Sequence, residues 1–198
     1  MLGIFLDTET NGLDPQKHRV LELAFQIIDL YTGEKLKTFQ TLVQISQELW
    51  SQSDPTSLQV CGIQFEETQR GLPLADIQNE VKHIFTDHSL VRGKAVFICQ
   101  NPSFDRVFFT QILNVKLQEQ MSLPYHWLDL ASMFWGYCME KAKTSQSPFP
   151  WEIGFTKDKI ATFLHLDKEA QPHRAINGVG HLVACYEALI GFPSKVKV

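Results

Sequence analysis

Hydrophobic positions follow two rhythms along the chain. Ile4-Phe5-Leu6 is a compact apolar run, and Val20 to Leu30 is dense in apolar and β-branched residues. Tyr31-Thr-Gly-Glu34 reads as a turn, after which Leu36 to Val43 alternates apolar and polar residues. Alternation with period two and β-branched enrichment predict strands. Three such runs on short connections predict an antiparallel meander. Ser46 to Pro73 is irregular and polar, and reads as loops with a short helical piece. From Leu74 to Phe85 the spacing of Ile77, Val81, Ile84 and Phe85 is helical. Ala95 to Cys99 is a further strand, and Phe104, Val107, Phe108, Ile112 and Leu113 mark a helix beyond it. Trp127 to Leu130 is another short strand that runs into an apolar helical stretch through Tyr137. Thr144 to Gly154, with two prolines and two serines, reads as a surface loop. Thr156 is positioned to cap a short amphipathic helix ending at Leu166. A last helix places Val179, Leu182, Val183, Tyr186 and Leu189-Ile190 on one face. Strands first, then strands alternating with helices, predict a single α/β domain over residues 1–198 with helices packed on a mixed sheet.

Composition narrows the function classes. No apolar run approaches the ~20 residues that span a bilayer, and the N-terminus lacks the basic and apolar regions of a signal peptide. A cytoplasmic chain with no membrane role is expected. Cys61, Cys99, Cys138 and Cys185 are scattered without a Cys-x-x-Cys pair, which argues against a zinc ribbon or a disulfide framework. A net charge of −4 argues against a binder that depends on a basic surface. It weighs less against a nuclease, whose bound cations supply positive charge at the phosphate.

Three places gather chemistry. Asp7 and Glu9 lie two residues apart at the end of the first strand, so both project from one face. Like charges that close favour protonation of one unless a cation intervenes, and hard carboxylate oxygens suit Mg²⁺ or Mn²⁺. Two solvated acids at a strand end are the plainer reading of that pair alone. Asp105 falls in the first turn of a helix, where the dipole stabilises a carboxylate whether or not it has a function. Phe104 beside it reads as a core aromatic or as a ring on which a base stacks. His173 sits on a loop-to-helix junction outside any apolar stripe, as a general base or as an unremarkable loop histidine.

As an ordered set, Asp7-Thr-Glu9-Thr-x-Gly12-Leu13, Asn101-x-x-Phe-Asp105 and His173-x-Ala175 resemble the three motifs of the DEDDh 3′–5′ exonucleases. Gly12-Leu-Asp-Pro15, Val20-Leu-Glu-Leu-Ala24 and Leu128-Asp-Leu-Ala131 resemble the stretches between those motifs, so the likeness covers roughly residues 1 to 190. The resemblance implies an RNase H-like mixed sheet flanked by helices. It also implies hydrolysis of phosphodiester bonds at the 3′ end of single-stranded DNA or RNA. Asp7, Glu9 and Asp105 would hold two divalent ions, Mg²⁺ or Mn²⁺, with His173 as general base. Thr10, Leu13, Asn101 and Phe104 would contact the terminal nucleotides. A homodimer and a polymerase partner both stay open, since relatives of each kind exist. One position departs from the pattern. The third motif ends in an Asp five residues after its His, and that position is Gly178. His181, one turn further on, is expected to face solvent, with a role as substitute ligand the lesser alternative. A nuclease-like protein that binds nucleic acid ends or a protein partner without cutting therefore stands as the second reading.

Overall fold

The computed structural model describes residues 1–144 and 147–195. Its centre is a five-stranded sheet of β1 (Leu2–Thr10), β2 (Val20–Asp29), β3 (Lys35–Leu42), β4 (Ala95–Cys99) and β5 (Trp127–Asp129). The order is β3-β2-β1-β4-β5. β1 with β2 and β2 with β3 are antiparallel, whereas β1 with β4 and β4 with β5 are parallel. The meander and the mixed sheet are as the sequence predicts. β1 runs further than the apolar Ile4–Leu6 core, because pairing to β2 continues to Thr10 opposite Val20, with a register shift between Glu9 and Thr10.

Helices cover both faces. The segment read as irregular forms three short helices, α1 (Gln47–Trp50), α2 (Pro55–Cys61) and α3 (Phe65–Thr68), and is followed by α4 (Leu74–Asp87). After β4 come α5 (Pro102–Ile112) and α6 (Val115–Gln120). After β5 come α7 (Leu130–Thr144), α8 (Pro150–Ile153), α9 (Lys157–Phe163) and α10 (Ala175–Leu189), then a 3₁₀ turn at Pro193–Lys195. Helix α7 thus enters the stretch read as a loop, α8 lies within it, and Ser145 and Gln146 of that stretch fall outside the described residues. Thr156 caps α9 as expected, accepting from the Lys159 N–H.

Strand alternation sorts the core into two layers. Ile4, Leu6, Leu23 and Phe25 pack with α4 and α5 residues such as Ile77, Phe85, Phe108 and Phe109. Phe5, Ala24, Ile28 and Ile98 pack on the other face with α7, α9 and α10, through Phe134, Ile160, Val179 and Leu182. All four cysteines are free and buried. Among the described residues no helix is long and apolar enough to cross a membrane.

Candidate active site

Register decides where the acids go. β4 pairs with β1 only from Leu2 to Phe5, so the end of β1 projects past its parallel neighbour. Asp7 and Glu9 stand on that overhang, on the Phe5 side of the sheet. Thr8, on the opposite side, donates its hydroxyl to Asp105 Oδ1 at 2.9 Å. Asp105 is itself buried in the first turn of α5. Pro102 opens that helix behind Asn101, which takes the left-handed conformation (φ 56°) that asparagine tolerates. The Asn101 N–H is held by Asp129 Oδ1 at 3.0 Å, and Asp129 also caps α7. The second-motif segment and the strand-to-helix segment after β5 are therefore one hydrogen-bonded unit.

His173 is fixed from both nitrogens. Nδ1 lies 3.0 Å from Glu169 Oε1 and Nε2 lies 2.9 Å from Gln171 Nε2. A carboxylate can only accept and an amide nitrogen only donate. Nδ1 therefore carries the proton, and Nε2 presents the basic lone pair. The following residues anchor the start of α10. Glu22, fully buried on β2 opposite Glu9, accepts from the Ala175 N–H at 2.9 Å and from Gln40 at 2.8 Å, and pairs with Arg174 at 3.3 Å. Arg174 also reaches Glu67 of α3 at 3.1 Å.

Gly178 faces Asp7 directly. A Cβ there would overlap the Asp7 carboxylate, standing 2.7 Å from its Cγ, and would lie 2.9 Å from Lys157 Nζ. The Lys157 ammonium bridges Asp7 Oδ1 at 3.2 Å and Glu169 Oε2 at 2.9 Å, with its side chain 13% exposed. His181 does not face solvent. Its side chain is 8% exposed, its Nε2 lies 3.0 Å from the Asp167 carbonyl, and its Nδ1 lies 3.7 Å from Glu169 Oε2, an ionic contact too long for a hydrogen bond.

Electrostatics divide the site. Burial, and after it the charge of Asp7, push the Glu9 carboxyl up to about 8. The same two causes hold Asp105 well above the usual carboxylate range. Asp7 is also raised, chiefly by burial, with Lys157 pulling against it. Glu169 goes the other way: burial opposes ionisation, but His181, Lys157 and His173 bring it to about 2. Burial alone would lower Lys157, yet Asp7 and Glu169 outweigh it and hold the ammonium charged. One half of the site is thus balanced by an internal cation, while Glu9 and Asp105 are held toward the neutral form by burial and by Asp7. The donor set is the hard oxygen chemistry that Mg²⁺ and Mn²⁺ accept. Among the described residues, however, no three ligating side chains already form a metal cage.

Two adjoining clefts flank these groups. One, of about 600 Å³, is lined by Glu9, Thr10, Leu13 and Phe104. Leu13 is 74% exposed, and Phe104 is half-buried and packs on Phe108. Thr10 is buried, its hydroxyl spent on the Gly12 carbonyl at 2.8 Å. The other, of about 760 Å³, is lined by Asn101, Lys157, Glu169 and His173. Asp7 acts electrostatically on Glu9 and Asp105 and feels the charge of His173, while Asn101 borders a different cleft from the other three residues assigned to the terminal nucleotides. Sequence reasoning missed Glu22, Lys157 and Glu169. For Lys157 a signal existed, since a cation in the first turn of a helix opposes the dipole and needs acids from elsewhere.

The five-strand order with helices on both faces defines an RNase H-like fold. Solved structures agree. E. coli exonuclease I in complex with a dT13 oligonucleotide matches with a TM-score of 0.73 at 16% identity, over 95% of this chain and 41% of that one. A zinc-bound form of the E. coli exonuclease I–ssDNA complex matches with a TM-score of 0.74 at 16% identity, over 96% and 40%. Cell-death related nuclease 4 (CRN-4) matches with a TM-score of 0.70 at 13% identity, over 96% and 63%. The chain spans about two fifths of the length of exonuclease I. No curated protein matches it in sequence. The family model described as exonuclease, and named for RNase T, matches residues 4–177, and the chain belongs to that family. The match stops one residue short of Gly178.

Proposed function

We propose that this chain is a divalent-metal-dependent 3′–5′ exonuclease acting on single-stranded DNA or RNA. The observation that carries the reading is that Asp7 lies within electrostatic reach of Glu9, of Asp105 and of a histidine whose basic nitrogen is oriented by a buried acid. Asp7, Glu9 and Asp105 would hold Mg²⁺ or Mn²⁺, which when bound stabilises charge at a phosphoryl oxygen and acidifies water. Burial and mutual charge disfavour their ionised forms in the free protein, a crowding that a divalent cation would relieve.

The residues themselves then divide the work. His173 Nε2 takes a proton from the attacking water, and the resulting imidazolium keeps its Nδ1–H on Glu169. That carboxylate stays ionised through the step, because its own acidity is held at about 2. Gln171 occupies Nε2 in the free protein and must yield to the water. Leu13 and Phe104 offer apolar surface to the terminal bases, and Asn101 borders the neighbouring cleft.

A second reading, in which the site binds nucleic acid ends without cutting, draws on the Lys157 ammonium seated against Asp7. Digestion of a 5′-labelled single-stranded oligonucleotide decides between them, with Mg²⁺ and then Mn²⁺, comparing wild type with Asp7→Ala and His173→Ala. Stepwise shortening by wild type and its loss by at least ~100-fold in both variants is the expected result. Equal inertness of wild type and Asp7→Ala in both metals would leave only the binding reading.

A further inference from the structure

We propose that the Lys157 ammonium permanently fills the place of one cation, so that this site takes a single divalent ion. The inference rests on the metal-dependent reading above and departs from the two-ion arrangement that the motif resemblance implies. Three observations carry it.

The first is space. A Cβ at Gly178 would overlap the Asp7 carboxylate and lie 2.9 Å from Lys157 Nζ. Asp7 and the ammonium therefore occupy the room that any side chain at 178 would need. A carboxylate there and an ammonium here exclude one another.

The second is saturation. Lys157 Nζ is 3.2 Å from Asp7 Oδ1 and 2.9 Å from Glu169 Oε2. The other Glu169 oxygen is taken by His173 Nδ1 at 3.0 Å. Both oxygens of Glu169, the one acid close enough to replace the missing carboxylate, are already engaged. An ion entering between Asp7 and Glu169 would have to expel a largely buried ammonium and break both of its ion pairs, and like charge keeps a second cation away while it stays.

The third is asymmetry. Among the described residues no lysine, arginine or histidine forms an ion pair with Glu9 or Asp105, and the one hydrogen bond on the Asp105 carboxylate comes from Thr8. Among the described residues, the cation seated in the site lies on the side of Asp7 and Glu169. A lysine fits the vacant side because its ammonium is a compact point charge with three donors on a long stem. Lys157 is thus a positioning residue: it fixes one oxygen of Asp7 and, through Glu169, the ring of His173.

The test counts ions on the full chain, with Mn²⁺ alone as the probe. Free Mn²⁺ is followed by its paramagnetic resonance signal during titration, without nucleic acid. One Mn²⁺ per wild-type chain is expected, and two in Lys157→Met, which frees Asp7 and Glu169, once circular dichroism shows it folded. Two equivalents in wild type, unchanged in Lys157→Met, would overturn the single-ion inference and leave the metal-dependent nuclease standing. No binding by wild type at millimolar Mn²⁺ would overturn both. The wild-type count is decisive on its own, even if Lys157→Met does not fold.

Discussion

Two glycines of α10 form a matched pair for testing whether Asp7 packs on bare backbone. Gly178 is buried against Asp7, whereas an added Cβ at exposed Gly180 meets nothing within 4 Å. Glycine inside a helix costs about 0.5–1 kcal/mol relative to alanine. Gly180→Ala should gain that amount, a rise in Tm of about 1–4 °C for a domain of this size. Gly178→Ala gains the same propensity, but its methyl would overlap the Asp7 carboxylate. Overpacking of that kind costs about 1–3 kcal/mol, so its Tm should fall about 2–12 °C below that of Gly180→Ala. Calorimetric melting of both variants in EDTA gives the comparison, and the oligonucleotide assay gives a second readout. Gly180→Ala should cleave at the wild-type rate. Gly178→Ala should lose most activity, because Asp7 must swing out of place. Equal Tm gains with unchanged cleavage in both variants would refute the packing of Asp7 on the Gly178 backbone.

Three other expectations follow from the same groups. Glu169→Gln removes the charge shared by Lys157, His173 and His181, and breaking a buried ion pair costs about 3–5 kcal/mol; a chemical denaturation curve that shifts by less than about 1 kcal/mol contradicts it. Glu22→Ala strips acceptors from the Ala175 N–H, Gln40 and Arg174, at about 1–3 kcal/mol for each buried group left unpaired. Cleavage should drop with it, since His173 sits two residues before that anchor, and full activity in a folded Glu22→Ala protein would count against this buttress. For pH, Glu9 stands at about 8 in the fold against an ordinary 4.5. The folded chain then binds more protons than the unfolded chain between those values, so stability falls as pH climbs through that window, and Asp7 and Asp105 act in the same direction. Glu169, at about 2, contributes stability that is lost as pH falls below 4.5. Melting in EDTA should therefore peak near about pH 5, Glu9→Gln should flatten the alkaline limb, and a Tm that climbs from pH 5 to 8 would go against the assignment.

The elements that the sequence predicted are those whose signal is local. β2 and β4 show as apolar runs because both faces of their strands are buried, and α4 shows as a stripe because only one face is. Helices α1 to α3 run four to seven residues, too short for a 3.6-residue period to declare itself. β1 could be read through Glu9 at its end, and pairing with β2 carries it on to Thr10. In the site, motif spacing marked Asp7, Glu9, Asp105 and His173. Lys157 and Glu169 carry no such spacing: one is 150 residues from its partner Asp7, and their pairing depends on how α9 and the segment before α10 lie on the sheet. The exposure expected of His181 failed for the same reason, because the segment carrying Asp167 and Glu169 folds over it.

Strand β1 and helix α10 share one face of the sheet. Phe5, Ala24 and Ile28 are covered by Val179, Leu182 and Tyr186 of α10, and Asp7 lies on that same face. During synthesis the β1–β3 meander can pair its backbone early, but this apolar face stays open until α10 leaves the ribosome. Contacts of such long sequence separation form late and leave surface exposed meanwhile. A chain released before α10 would keep a sheet with one bare side and acids without their histidine or lysine. Completing the core and completing the site are then the same event, and a truncated product would hold a half-built hydrolytic centre that cannot act.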